Sequence, residues 1–279
     1  MATTAKIGDV RVTAIVDVTP PAFPIANVFS DVPASDWDAH QDALSDGRFQ
    51  TNFGVFLLQS PNSTVLVDTG AGPGPHDDMG GVEGKLMEQL RAAGATPEGV
   101  DAVVLTHLHA DHIGWALKQN HGAESTPTFP NARYAISNTE WDYWTRPEVM
   151  AETPGIEQGI YPLEKLGLLQ LTDDETGIVD GMRVIATTGH TPGHQSLFVE
   201  SAGEKGLIAG DLLHNVAQFE ETDWCADFDM DKPTSRTTRK KWLEKAASDR
   251  LLMTFGHLII DSNIGHVISV GDRYRWQPL

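Results

Sequence analysis

Four metal-competent side chains fall within six residues of this chain: His107, His109, Asp111 and His112, in the segment THLHADH (Thr106–His112). A spacing of two along an extended segment points His107 and His109 the same way, so both can reach one metal ion. Asp111 and His112 follow where the chain turns toward a helix, and they face a neighbouring position. Three further residues of the same chemistry, His194, Asp211 and His257, come shortly after apolar runs later in the chain. A catalytic zinc ion needs only three protein ligands and a water, so this supply exceeds the need of one ion. His107, His109 and His194 are expected at one position and Asp111, His112 and His257 at a second. Asp211 is expected to bridge them, because a carboxylate offers two oxygens. Burying so many imidazoles and carboxylates together is costly without a compensating cation. Two ions ~3.5–4 Å apart lower the pKa of a shared water to give a hydroxide, and they polarise a carbonyl or phosphoryl oxygen. Asp111 is expected to hold the proton of that nucleophile or pass it to the leaving group.

The elements that must deliver these residues are short apolar runs. AVVL (Ala102–Leu105) leads into THLHADH, RVIA (Arg183–Ala186) into TTGHTPGH, GLIAG (Gly206–Gly210) into Asp211, and LLMTF (Leu251–Phe255) into Gly256 and His257. Continuous apolar runs suit strands buried on both faces, and loops leaving buried strand ends are where α/β folds place their ligands. Further strands are expected at Val10–Val18, Phe53–Gln59 and Thr64–Val67, the last two joined by the turn formers Ser60–Ser63. Helices are expected at Lys85–Ala93, with Gly94 as a stop, at Thr139–Thr145, and at Pro233–Ser248 capped by Asp231. Trp242, Leu243 and Ala246 would pack that last helix on a sheet, with its Arg and Lys residues forming a solvated face. Residues 1–279 read as a single domain with an N-terminal excursion at about 19–50 that carries one short helix.

Composition narrows the classes. With 40% hydrophobic and 21% charged residues the chain can bury a large core unaided, so a metal would serve chemistry rather than folding. The net charge of −19 opposes a nucleic-acid partner. The lone cysteine, Cys225, forms no internal disulfide, and no apolar run approaches the ~18 residues of a membrane span. The start MATTAKIGDVRV lacks the pattern of a secretory signal. These features predict a cytoplasmic protein without a membrane partner, acting on a small molecule.

The ordered motifs resemble those of the metallo-β-lactamase superfamily: Val67-Asp68-Thr69-Gly70, then THLHADH, then His194 in GHTPGH, Asp211 in AGD and His257 in FGH. The resemblance spans roughly residues 53–260. It implies an αββα four-layer sandwich, two mixed β-sheets with outer helices and the metals at one edge. It also implies that the seven residues named above are the ligands and that Asp68 supports the metal loops. The chain is more similar to the dinuclear hydrolases of the superfamily, namely glyoxalase II, acyl homoserine lactone lactonases and methyl parathion hydrolase, than to the β-lactam-cleaving members. HIGW, TFPNARY, EWDYW, GHTPGHQSL and GDLLH carry the likeness to the lactonase and methyl parathion hydrolase branch. Many lactonases of this kind place a Tyr three residues after the bridging Asp, where this chain has His214. An imidazole donates a similar hydrogen bond, so lactone or ester cleavage survives the change.

The reading that follows is a hydrolase of lactones or carboxylic esters with two divalent ions, zinc foremost and manganese, iron or cobalt compatible with the same ligands. The alternatives are an organophosphate triester hydrolase and a mononuclear iron persulfide dioxygenase, which needs no second ligand set. His190 is expected to orient His194 from behind. Trp115, Phe219 and Trp224, with Phe228, Phe23, Phe29 and Trp37, are candidates to line an apolar pocket over the metals. His40, His76, His121 and His266 have no motif context and are expected to be structural or exposed. The family resemblance also makes residues 20–50 a candidate arm for a homodimer.

Overall fold

The computed structural model describes residues 3–118 and 125–279; His121 lies outside them. The strands are β1 (Thr4–Ile7), β2 (Val10–Val18), β3 (Phe53–Gln59), β4 (Thr64–Val67), β5 (Ala102–Val104), the two-residue pair β6 (Leu117–Lys118) and β7 (Thr126–Pro127), β8 (Arg133–Ser137), β9 (Leu169–Thr172), β10 (Gly177–Val179), β11 (Met182–Ala186), β12 (Gln195–Ser201), β13 (Glu204–Ile208), β14 (Leu252–Thr254), β15 (Ile264–Val270) and β16 (Arg273–Pro278). One seven-stranded sheet runs in the order β1-β2-β3-β4-β5-β8-β9 and a second runs β10 to β16 in sequence order. Both are mixed: β4-β5-β8-β9 and β13-β14 pair parallel, and the other neighbours pair antiparallel.

Alternation along each strand sorts the apolar side chains into three layers. Phe56, Leu58, Val65 and Val67 of the first sheet meet Val184, Leu197, Val199 and Ile208 of the second in the central layer. Leu57, Leu66 and Tyr134 point outward onto helices carrying Leu86, Leu90 and Trp141. On the far side Phe198, Leu207 and Met253 pack on Trp242, Leu243 and Ala246. The fold is therefore the αββα sandwich of the metallo-β-lactamase type, and its inner strands are buried on both faces, as their continuous apolar runs require.

The helix expected at Pro233–Ser248 spans Lys232–Asp249, with the Asp231 carboxylate accepting from the Thr234 N–H at 3.1 Å. Its buried residues Ser235, Arg239, Trp242, Leu243 and Ala246 recur at one helical face. The expectation that its cations all face solvent fails at Arg239, which is fully buried. Helices at Leu86–Ala92 and Asn138–Trp144 also fall where the sequence places them. The N-terminal excursion forms 3-10 turns at Ile25–Asn27 and Ala34–Ala43 and has a small core of its own, with Phe29 and Trp37 packed edge to face at 5.4 Å.

Candidate metal centre

The ends of β5, β11, β13 and β14 lie at one edge of the sandwich and feed their loops into one cleft. His107, His109, Asp111, His112, Asp211 and His257 converge there, together with His190 and His214. The ring nitrogens are sorted by their partners. His112 Nδ1 donates to Asp68 Oδ2 at 2.9 Å, and Asp68 is itself fixed by the Thr106 N–H at 2.7 Å. His190 Nδ1 donates to Asp229 Oδ1 at 2.9 Å, and His257 Nδ1 donates to the Asn52 carbonyl at 3.0 Å. Each bond turns Nε2 into the cleft, which is how outlying hydrogen bonds orient metal-binding imidazoles.

Two donor groups result. His107 Nε2 and His190 Nε2 each lie 3.0 Å from His109 Nδ1. Burial pushes the His109 imidazole down to about 3 and holds His107 well below its usual value, so both are neutral donors. Across from them His112 Nε2 and His257 Nε2 each lie 3.6 Å from Asp111 Oδ2. Asp211 stands between, with Oδ1 3.4 Å from His112 Nε2 and Oδ2 2.9 Å from His257 Nε2 and 3.3 Å from His190 Nε2. Burial opposes its charge, yet His257, His112 and His107 hold Asp211 well below the usual carboxylate range. His112 Nε2 and Asp211 Oδ1 are buried and have no hydrogen-bond partner. Imidazole nitrogens and carboxylate oxygens converging on either side of a two-oxygen carboxylate fit two divalent cations, which would take the place of the protons now shared between them.

His194 is not among these donors, which corrects the sequence reading. Its Nδ1 donates to the Thr187 carbonyl at 3.0 Å and its Nε2 accepts the Asp211 N–H at 3.0 Å. Both nitrogens are spent on backbone, so no lone pair is left for a metal. Gly210 makes this approach feasible: a Cβ there would sit 2.7 Å from His194 Nε2. Where His194 was expected, the structure turns the Nε2 of His190 into the cleft, and His194 holds the backbone behind it.

Glu140, which the sequence did not single out, ties the two ligand loops together. Its buried carboxylate accepts from the Leu108 N–H at 3.0 Å on one side, and from the Gly193 N–H and Thr191 hydroxyl, both at 2.8 Å, on the other. The Trp144 indole N–H completes the set at 2.6 Å, and burial raises the Glu140 pKa. Gly193 must be glycine, since a Cβ would lie 2.1 Å from the Glu140 nitrogen.

Above the donors the cleft encloses about 820 Å³. Phe23, Phe49, Phe53, Phe228 and Met79 form most of its apolar wall, and among the described residues no Lys or Arg lines it. Phe23 and Phe228 were expected in this wall. Trp115, Phe219 and Trp224 were expected too, and the structure places them elsewhere. Trp115 donates its indole N–H to Asp17 Oδ1 at 3.0 Å, Phe219 is fully buried and stacked on Trp276 at 5.0 Å, and Trp224 packs on Trp37 at 4.7 Å. Phe29 and Trp37 lie in the excursion's own core. His76 does line the cleft, with Nε2 3.1 Å from the Gly72 carbonyl, whereas His40 and His266 lie outside it.

A profile of the metallo-β-lactamase superfamily matches residues 47–257. The chain belongs to the metallo-β-lactamase superfamily. It is 27% identical over 241 residues to the N-acyl homoserine lactonase AiiA of Bacillus thuringiensis subsp. kurstaki, covering 80% of this chain and 88% of that one. It is 29% identical over 185 residues to the N-acyl homoserine lactonase AttM of Rhizobium radiobacter, covering 60% and 66%. Among solved structures it superposes on the hydrolase AbOPH with a TM-score of 0.83 at 29% identity, over 100% of this chain and 97% of the other. The dizinc quorum-quenching lactonase AidC gives the same TM-score and coverage at 22% identity and supports the shared fold. This superfamily member is a metal-dependent hydrolase with donors for two divalent ions. Among its described residues no helix is long and apolar enough to cross a membrane.

Proposed function

We propose that the protein cleaves lactones or carboxylic esters with two zinc ions, one held by His107, His109 and His190, the other by Asp111, His112 and His257, with Asp211 between them. The observation that carries this reading is the pair of donor groups on either side of Asp211, set beneath a cleft that no Lys or Arg lines among the described residues. The two ions supply Lewis acidity and lower the pKa of water. The chain's own residues supply the rest. Asp111, which faces His112 and His257 through Oδ2, accepts the proton of the attacking water on its other carboxylate oxygen and returns it to the leaving oxygen. His214 lies 3.3 Å from Asp211 Oδ2 through Nε2, and neither of its ring nitrogens has a hydrogen-bond partner. From there a ring N–H donates to the substrate carbonyl oxygen as charge develops on it. The apolar wall excludes water from the bound substrate and favours an uncharged one. The lactonase relatives support a lactone as the first substrate to try.

The test is a metal count on protein purified without chelators, with an assay of γ- and δ-lactones, acyl homoserine lactones, aryl esters, a phosphotriester, a β-lactam and a glutathione thioester. Near two metals per chain with lactone or ester turnover is expected. Turnover of the phosphotriester alone would replace the carbonyl substrate with a phosphoryl one. About one iron per chain without hydrolysis would overturn the reading.

A further inference from the structure

Behind the metal centre lies a buried cation that the ligand set does not require. Arg239, on the helix Lys232–Asp249, is 0% exposed and is among the largest fully buried side chains of the described residues. A guanidinium carries five N–H groups and cannot shed its charge, so each N–H left without a partner would be costly. Here each finds an oxygen. Nε donates to the Leu212 carbonyl at 2.9 Å, Nη1 to the carbonyls of Thr222 at 2.9 Å and Trp224 at 2.6 Å, and Nη2 to Ser235 Oγ at 3.2 Å and Asp229 Oδ2 at 3.3 Å.

Two of these contacts lead to the site. Asp229 spends its other oxygen on His190 Nδ1 at 2.9 Å, and the N–H it accepts fixes the tautomer that turns His190 Nε2 toward His109 and Asp211. Leu212 follows Asp211 directly, so the bond to its carbonyl anchors the backbone one residue beyond the bridging carboxylate. Asp229 is itself 4% exposed. Without Arg239 it would face His190 as a buried carboxylate with no permanent cation beside it.

We propose that Arg239 is a positioning residue of the metal centre, acting by two routes: through Asp229 on His190, and through the Leu212 carbonyl on Asp211. This rests on the assignment of His190 and Asp211 as ligands. The routes predict different losses. Asp229→Asn removes the charge that orients His190 and leaves Asp211 untouched. Arg239→Met disturbs both.

The experiment titrates zinc or cobalt(II) into metal-stripped wild type, Asp229→Asn, Arg239→Met and Arg239→Lys, and follows the cobalt d–d spectrum and thermal unfolding beside it. Wild type that binds no metal would remove the ligand assignment itself, a failure separate from that of the Arg239 proposal. With two metals in wild type, Asp229→Asn is expected to weaken one of them by about ten- to a hundredfold and spare the other. Arg239→Met is expected to weaken both, and Arg239→Lys to recover part of the loss. Parental affinities in Arg239→Met, however much its unfolding temperature drops, would reduce Arg239 to a fold residue and overturn the proposal. If Arg239→Met does not fold, Arg239→Lys and Asp229→Asn decide: parental affinity for both metals in these two variants would overturn it equally.

Discussion

The floor of the cleft holds His112, His190 and His257 each by a hydrogen bond on the nitrogen turned away from the site. Its wall is made of Phe23, Phe53 and Phe228, whose rings make only packing contacts, and Phe228 is 47% exposed. Floor residues therefore have one permitted orientation, set by a carboxylate or carbonyl behind each ring. Wall residues have an area to cover and a choice of ways to cover it. Chemistry that depends on tenths of an ångström sits on the first kind of support, and selection by size and polarity on the second.

Substitutions can break or sharpen that contrast. The largest effect is expected for Asp211→Ala, which removes the carboxylate facing both donor groups: turnover falls by ~1000-fold or more and elemental analysis finds fewer than two metals. His214→Phe keeps an aromatic ring of similar size but loses the N–H. On the proposed mechanism kcat drops ~100-fold while the metal count stays at the wild-type value, so loss of metal instead would make His214 a ligand. Glu140→Ala strands the N–H groups of Leu108, Gly193 and Trp144 inside the protein. The loss is about 3 kcal/mol by denaturant unfolding, with kcat down ~10-fold as the two ligand loops separate. His194→Asn should still carry the wild-type number of metals, whereas His190→Asn should lose one; the reverse result would restore the ligand set read from sequence. The smallest effect belongs to the wall. Phe228→Ala should raise KM for bulky aryl esters ~3-fold, leave kcat for a small ester unchanged, and alter stability by no more than ~0.5 kcal/mol.

The same contrast explains which parts of the site could be read from the chain. The THLHADH donors were legible because their geometry is local: a spacing of two in extended chain, then a turn into the short helix Ala110–Ile113. The sheets were legible because strands buried on both faces need unbroken apolar runs. His190 and His194 were not separable, since both sit in GHTPGH. The choice between them is made by Asp229, 39 residues after His190, and by the Asp211 N–H, 17 residues after His194. Arg239 looked like one more cation on a charged helix because four of its five acceptors, Leu212, Thr222, Trp224 and Asp229, lie outside that helix. The wall was the least legible. Trp115 is next to the metal motif in sequence yet turns to Asp17, while Phe53 and Met79, far away in sequence, reach the cleft.

The absence of Lys and Arg from the described lining of the cleft also gives the reaction a direction. On the proposed reading, an uncharged ester enters and an acid leaves, ionised at neutral pH. The wall that accepted the neutral molecule offers the anion no counter-charge, and the protein around it carries a net charge of −19. Product would be held by the metals and the His214 N–H, and pushed outward by the charge around it. The cleft would clear itself after each turnover, and added carboxylate product would inhibit weakly, the more so at low ionic strength, where the repulsion reaches farther.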